Sequence, residues 1–476
     1  CSPDDAGGQL DRRTAFVCAA GCHRYEPELE SVLAPWAEWY SSANRTGLES
    51  VEQMEAFCNA KRNCKDPFIM AVLWRGDVWL KTCVAPSVNS ESLYLIGPED
   101  LAIAAALLLG VQRVATMPDG PTALGLYLSD YTCLADRHIT GPGFPLFAYL
   151  RRETTWLIPW PSSFTLHSEQ EIEASEAKNK KGGAEDHAAW SQRVGKAYWV
   201  GAVTGPWEVV PDAALTAIPR LQLLKLAGQH PKQLMVEWNS LASYGIRWVA
   251  EQSKVQGLRA EGPRSVRDMT GIKRVKRRSL ENFTNFKYYI NIDGVVMGGR
   301  FSKLLALGGV VLQHEAGYYE NLNALAEPYV HYVPIRYDLS DLVSKIKWLQ
   351  SNDDIARRIA RQGRELALTR MRFEDDLCYV WRALEGISRA VGPEPVPKNV
   401  SVEAMLVRLG YEQLSLPAKN KSDLEGALAT FWGKPLVEVK AGSRTMSAMG
   451  LSILRWLWQR MEGLRERREA LEAPKA

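Results

Sequence analysis

Short apolar runs alternate with stretches of helical periodicity twice along the chain, a pattern that predicts two sets of α/β layers with parallel strands. In the first set, FIMAVLW (Phe68 to Trp74) reads as a strand, Leu101 to Leu109 as a buried helix, and ALGLYLS (Ala123 to Ser129) as a second strand running into Asp130. Ligands of such sheets gather at the carboxyl ends of the strands, which makes Asp130 a candidate. A Pro/Trp-rich crossing, LIPWPSSF (Leu157 to Phe164), follows. The stretch from His167 to Asp186 mixes both charges with no apolar period and reads as a solvated insertion or linker.

The second set begins at KAYWVGAVTG and continues through KYYINI, GGVVLQ and HYVPI. A long amphipathic helix is predicted from Asp341, with Leu342, Ile346, Leu349, Ile355 and Ile359 on its core face. GPEPVPK (Gly392 to Lys398) is a stiff break. Beyond it, Leu451, Leu454, Trp458, Met461 and Leu464 share one face of a final helix with arginines opposite. That face suits a membrane surface, although packing on the body or on a partner is the commoner fate. The predicted organisation is a first domain over residues 1–165, a charged linker over 166–190, a second domain over 191–391 and a helical extension over 392–476, with no internal repeat.

Composition changes this picture little. The 476 residues are 46% hydrophobic and 24% charged with a net charge of +3, which suits a globular protein and points to neither nucleic acid nor a membrane as partner. The longest uniform apolar run, Leu101 to Leu109, is far short of the ~20 residues that span a bilayer. Membrane contact is expected only through an anchor already removed or through the final helix. Sixteen tryptophans hint at flat faces for sugars or bases, and Trp36, Trp39 and Tyr40 suit either such stacking or the core. Seven of eight cysteines (Cys1, Cys18, Cys22, Cys58, Cys64, Cys83, Cys133) lie in the first 133 residues, and Cys378 stands apart. An even cysteine number together with sequons at Asn44, Asn282, Asn399 and Asn420 favours disulfides and the secretory pathway, in the endoplasmic reticulum or Golgi lumen.

The stretch with most chemistry is NIDGVVMGGRFSKLL, from Asn291 to Leu305. Gly294 and Gly299 match the start of G-x-x-x-x-G-K-[ST], but Arg300 replaces the lysine and Phe301 the metal-binding hydroxyl. Between a strand and a helix, Gly298 and Gly299 let backbone approach a ligand, and Arg300 offers two donors to phosphate oxygens. A tight turn whose glycines only relieve sterics explains these residues equally well. The basic run GIKRVKRRS (Gly271 to Ser279) suits a solvated face first, and otherwise the steering of a nucleotide sugar or an acidic acceptor.

The ordered motifs K-Y-x-x-N-x-x-G, R-F-x-K-L-L, G-x-V-V, H-Y-x-P-I and D-L-S, between Phe286 and about Arg389, resemble the capsule-associated-protein type glycosyltransferases, family 90, which includes the Rumi-type protein O-glucosyltransferases. Earlier islands agree in order: MPDGPTALGLYLSDYT, PLFAYLRRETTWLIPWP and Ala197-Tyr198-Trp199-Val200-Gly201. The resemblance implies a GT-B fold, two Rossmann-like domains facing a cleft, with the acceptor in the first and a UDP-sugar in the second. It implies no cofactor and no metal, in keeping with the absence of any Asp-x-Asp pair from the sequence. It also implies an inverting transfer, of glucose or xylose most readily, to a protein or glycan hydroxyl.

By the same resemblance Asp130 is the catalytic base, where the residues alone favour a cap or turn. Donor binding falls on Gly201 and on Val295, Val296, Met297, Gly298, Gly299 and Arg300. Cys378 is implied to pair with the amino-terminal region, at Cys18 or Cys22. Two departures stand out: Val200 occupies the place of the family's diphosphate-binding arginine, and Gly298 that of a small hydroxyl residue. The acidic residue preceding the isoleucine-proline element is missing as well. A catalytically inactive relative that binds glycan or protein is therefore the alternative reading.

Overall fold

The computed structural model describes residues 12–22, 47–60, 68–83, 98–114, 121–127, 144–149, 151–152, 157–161, 190–204, 218–241, 266–267, 270–294, 298–315, 317–321, 325–391, 399–414 and 448–473. The chain divides into two compact units, one formed by Cys1–Leu166 with Phe373–Ala476, the other by His167–Arg372.

The first unit begins with helices α1 (Arg12–Ala20) and α2 (Gly47–Ala60). Strands β1 (Phe68–Trp74) and β2 (Asp77–Cys83) form a hairpin, helix α3 (Pro98–Val114) follows, and strands β3 (Thr122–Tyr127), β4 (Leu146–Ala148) and β5 (Ile158–Pro159) complete this part. The predicted strands and helix are present, but the parallel sheet expected for this half is a mixed one. β1 runs antiparallel to both β2 and β3, and only β3, β4 and β5 run parallel. The cause is a two-residue turn in which Arg75 (φ 50°) and Gly76 (φ 85°) both take the left-handed conformation that a type I′ hairpin demands.

In the second unit, strand β6 (Val194–Val203), helix α4 (Pro219–Gln229), strand β7 (Leu234–Leu241), strand β8 (Phe286–Asn291), helix α5 (Phe301–Ala306), strand β9 (Val310–Glu315) and strand β10 (Val333–Arg336) follow in order. All five strands are parallel, in the order β10-β9-β8-β6-β7. This is the doubly wound 2-1-3-4-5 arrangement, with its topological switch between β6 and β8. Strands of such sheets are covered on both faces and read as nearly continuous apolar runs. Here Trp199, Trp238, Tyr288, Ile290, Leu312 and Ile335 are almost wholly buried in one core. The single helix predicted from Asp341 is two, α6 (Leu342–Ser351) and α7 (Asp353–Arg370). Asn352 (φ −130°, ψ 58°) breaks the helical path between them, and Asp353 and Asp354 suit the start of the second by facing its dipole.

The chain then re-enters the first unit. Helix α8 (Phe373–Val391), expected to close the second domain, belongs to the first, as does the expected separate extension. Cys22 and Cys378 form a disulfide, which selects Cys22 from the two expected partners; Cys58 pairs with Cys83. Helix α9 (Val402–Arg408) is capped by Ser401, whose hydroxyl accepts the Ala404 N–H at 3.2 Å, and strand β11 (Glu412–Leu414) adds to the free edge of β2.

The final helix, α10 (Ala448–Glu472), packs on α1 and α3. Met461 and Leu464 are buried there together with Leu457, so this part of the face that suited a membrane is spent inside the unit. The side chains of Leu451, Leu454 and Trp458, and all of Trp36, Trp39 and Tyr40, lie outside the described residues. No helix among the described residues is long and apolar enough to cross a membrane.

Candidate functional site

The switch point between β6 and β8 is where this sheet offers a crevice, because the connections leave it in opposite directions. β6 ends in Val200-Gly201-Ala202-Val203. A Cβ on Gly201 would sit 2.8 Å from the Trp199 ring, and the pairing with β7 slips between Gly201 and Ala202. Such bulges re-aim backbone groups at the ends of strands. Here the Ala202 carbonyl accepts a hydrogen bond from Arg220.

Arg220, at the start of α4, was not singled out by the sequence. Its guanidinium lies across the switch point. Nη1 donates to the Ala202 carbonyl (3.0 Å) and the Thr204 hydroxyl (2.9 Å), Nη2 to the Ile292 carbonyl (3.1 Å) and Nε to the Asp293 carbonyl (3.1 Å). One cation thereby ties together the carboxyl ends of β6 and β8. Gly294 makes room for it, since a Cβ there would overlap the Thr204 hydroxyl and the guanidinium. A signal was present: an arginine in the first turn of a helix faces the unfavourable end of the dipole, so other partners must hold it.

The loop after β8 is pinned on both sides of Gly298. Its N–H donates to Asp293 Oδ1 (3.0 Å), and its carbonyl accepts from Asn291 Nδ2 (2.8 Å), which also donates to Gln313 Oε1 (2.8 Å). A Cβ on Gly298 would come to 2.7 Å from Asn291 Oδ1 and 3.0 Å from the Ile292 carbonyl, so the pinning itself excludes a larger residue. Asp293 Oδ2 lies 3.2 Å from His314 Nδ1, and His314 Nε2 lies 3.0 Å from the Tyr337 carbonyl. Asp293 and His314 are both buried, so the carboxylate that orients the loop packs against the imidazole away from water.

Arg300 is the residue preceding α5, and its Nη1 donates to the Val200 carbonyl at 2.9 Å. Where the resemblance calls for an arginine, the chain presents a buried valine side chain and a backbone oxygen that positions a different arginine. The Arg300 guanidinium also faces the Phe283 ring at 5.8 Å. Burial pushes its pKa down to about 10. Burial and then the neighbouring Arg300 push Arg220 down to about 9, against the opposite pull of Asp293. Both stay charged at neutral pH, and two partly buried guanidinium groups side by side favour an anion between them. Lys303 on α5 is lowered to about 8 by burial alone. The helix α5 has only six residues, so the cations carry more of the positive field than its dipole does.

Of the predicted residues, Gly201, Gly298, Gly299 and Arg300 are brought to the switch-point region. Val295, Val296 and Met297, in the middle of the loop, and Asp130, beyond the end of β3, lie outside the described residues.

A family model described as glycosyl transferase family 90 matches residues 116–411, more than half of the chain. The chain belongs to that family. Among curated family-90 relatives, protein O-glucosyltransferase 2 of Danio rerio is 42% identical over 105 residues, 22% of this chain and 21% of the relative. Human protein O-glucosyltransferase 3 is 29% identical over 176 residues (37% and 31%), and human protein O-glucosyltransferase 1 is 24% identical over 235 residues (49% and 49%). The matches thus span at most about half the length of these relatives. Anabaena HepE, solved with UDP-glucose, aligns at a TM-score of 0.31 and 13% identity, over 62% of this chain and 75% of that one.

Proposed function

We propose that this family-90 chain transfers a sugar, glucose or xylose, from a UDP-sugar to a hydroxyl of a protein or glycan acceptor, with inversion and without a metal. The observation that carries the reading is the pair Arg220 and Arg300 beside a pinned glycine loop at the switch point of a doubly wound sheet. The departing UDP develops charge on its diphosphate, and fixed donors in a poorly solvated site stabilise that charge without reorganising. Arg300 and the field of Arg220 fill this role. Arg220 thus compensates for the cation absent at Val200. A chain without an Asp-x-Asp pair has reason to rely on guanidinium groups.

In this reading Asp130 takes the acceptor hydroxyl's proton as the oxygen attacks the anomeric carbon opposite UDP. Such a leaving group needs no protonation, so one carboxylate suffices. The names of the curated relatives support glucose as donor sugar and protein as acceptor. The Cys22–Cys378 and Cys58–Cys83 disulfides support an oxidising compartment, the endoplasmic reticulum or Golgi lumen. In three dimensions the proposal is a GT-B arrangement of the two units around a cleft.

The test is UDP release from UDP-glucose, UDP-xylose and UDP-galactose, with and without EDTA. Arg300→Ala and Arg220→Ala should each lower turnover by about 10²–10³, Asp130→Asn should abolish it, and EDTA should change nothing. Val200 favours a second reading, a binding module without turnover. UDP binding with no release by the parent protein would establish that reading, and no UDP binding at all would sink both.

A further inference from the structure

The basic run Gly271 to Ser279 is a built feature. The Val275 N–H donates to the Trp238 carbonyl at 2.8 Å, the Trp238 indole N–H to the Ile272 carbonyl at 3.0 Å, and Arg274 Nε to the Asn239 carbonyl at 2.6 Å. These bonds lay the run along the carboxyl end of β7, the outermost strand of the sheet. Arg278 is drawn to Glu237 at 3.2 Å. Its neighbours line a cavity of about 660 Å³ with Asn239, Ser240, Arg274, Val275, Lys276 and Arg277.

Among the described residues the lining has three cations and two polar side chains, and neither a carboxylate nor an aromatic ring. The volume far exceeds what one phosphate needs and falls within the range of sites for extended ligands, roughly 300–1,000 Å³. Guanidinium, ammonium, amide and hydroxyl donors along an extended backbone suit a row of carboxylates. The cavity also opens on the carboxyl edge that carries the glycine loop, with β6 between β7 and β8.

We propose that this cavity seats an acidic stretch of an acceptor polypeptide and holds it along the edge where the donor binds. The inference rests on the proposed transfer to protein for its biological sense, but the binding it asserts is independent of turnover. Its charges act through Coulomb attraction that salt screens over about 8–10 Å.

The probe is a fluorescein-labelled hexaglutamate peptide, with hexaglutamine as control, titrated with the full chain at low and at physiological salt. The parent should bind hexaglutamate and not hexaglutamine. The double variant Lys276→Glu/Arg277→Glu should weaken binding at least tenfold while leaving UDP affinity unchanged. The reversal Arg357→Glu/Arg358→Glu, on the exposed face of α7, should leave peptide binding within about twofold. Failure of the parent to bind, equal loss in both double variants, or displacement by equimolar inorganic phosphate or a sulfated disaccharide would overturn the proposal. Hexaglutamate binding by a chain that releases no UDP would retain this site and reject the transferase reading, so the two failures are separable.

Discussion

The two units reach a buried sheet by different routes. In His167–Arg372 the sheet is wholly parallel and comes from one continuous stretch, and neither of the two located disulfides lies in it. Its core of Trp199, Trp238, Ile290 and Leu312 forms from apolar runs close in sequence. The other unit assembles a mixed sheet from segments more than three hundred residues apart, since β11 pairs with β2 and α10 packs on α3. Closing so long a loop costs entropy before any contact rewards it. A covalent link between Cys22 and Cys378 removes much of that cost from the unfolded chain. The difference teaches where each unit is vulnerable: the parallel one in its packing, the mixed one in its closure.

Three measurements can break or sharpen this contrast. The largest effect is expected from Cys378→Ser, which should destabilise the first unit by about 2–5 kcal/mol. Hydrogen exchange should show faster opening of β1 to β3 while β8 to β10 keep their protection. Equal loss in both units would mean that they are one cooperative body, and the contrast would fail. Next, Gly298→Ala pushes a methyl against Asn291 Oδ1 and the Ile292 carbonyl, neither of which is a flexible side-chain tip. Overpacking of this kind costs about 1–3 kcal/mol. Urea unfolding should place that loss in the second unit, and calorimetry should show UDP affinity at least tenfold weaker; an unchanged loop would disconnect it from the proposed donor site.

The smallest effect is expected at Gly110, where α3 meets α10. A Cβ there overlaps the Met461 thioether, but an unbranched methionine can swing aside, so Gly110→Ala should cost about 1 kcal/mol or less. A double-mutant cycle with Met461→Ala should recover most of that loss, because the two residues share one contact. Independence of the two substitutions would show that α10 is not seated by this contact.

Strand positions were legible wherever burial on both faces left an uninterrupted apolar run, as in Phe68–Trp74 and Phe286–Asn291. Strand direction was not, because a fully buried antiparallel strand looks the same as a parallel one; the evidence lay in the Arg75-Gly76 turn between two strands. The return of residues 373–476 to the first unit leaves no local trace, since pairing across such a distance depends on neither neighbour. At the candidate site the glycines and Arg300 were legible because they sit in one contiguous motif. Arg220, despite the signal of a cation in a helix's first turn, and His314 could not be assigned to it, because they reach the same place from other elements and only the folded sheet makes them neighbours.

The Cys22–Cys378 disulfide also sets a schedule. Its partners are 356 residues apart, so at roughly 5–20 residues per second the ribosome takes about 20–70 s to deliver the second thiol after the first. During that interval the whole second unit is synthesised while the Cys22 thiol waits for its partner. Correct formation of this disulfide should accordingly depend on a disulfide isomerase more than on the intrinsic folding speed of either sheet.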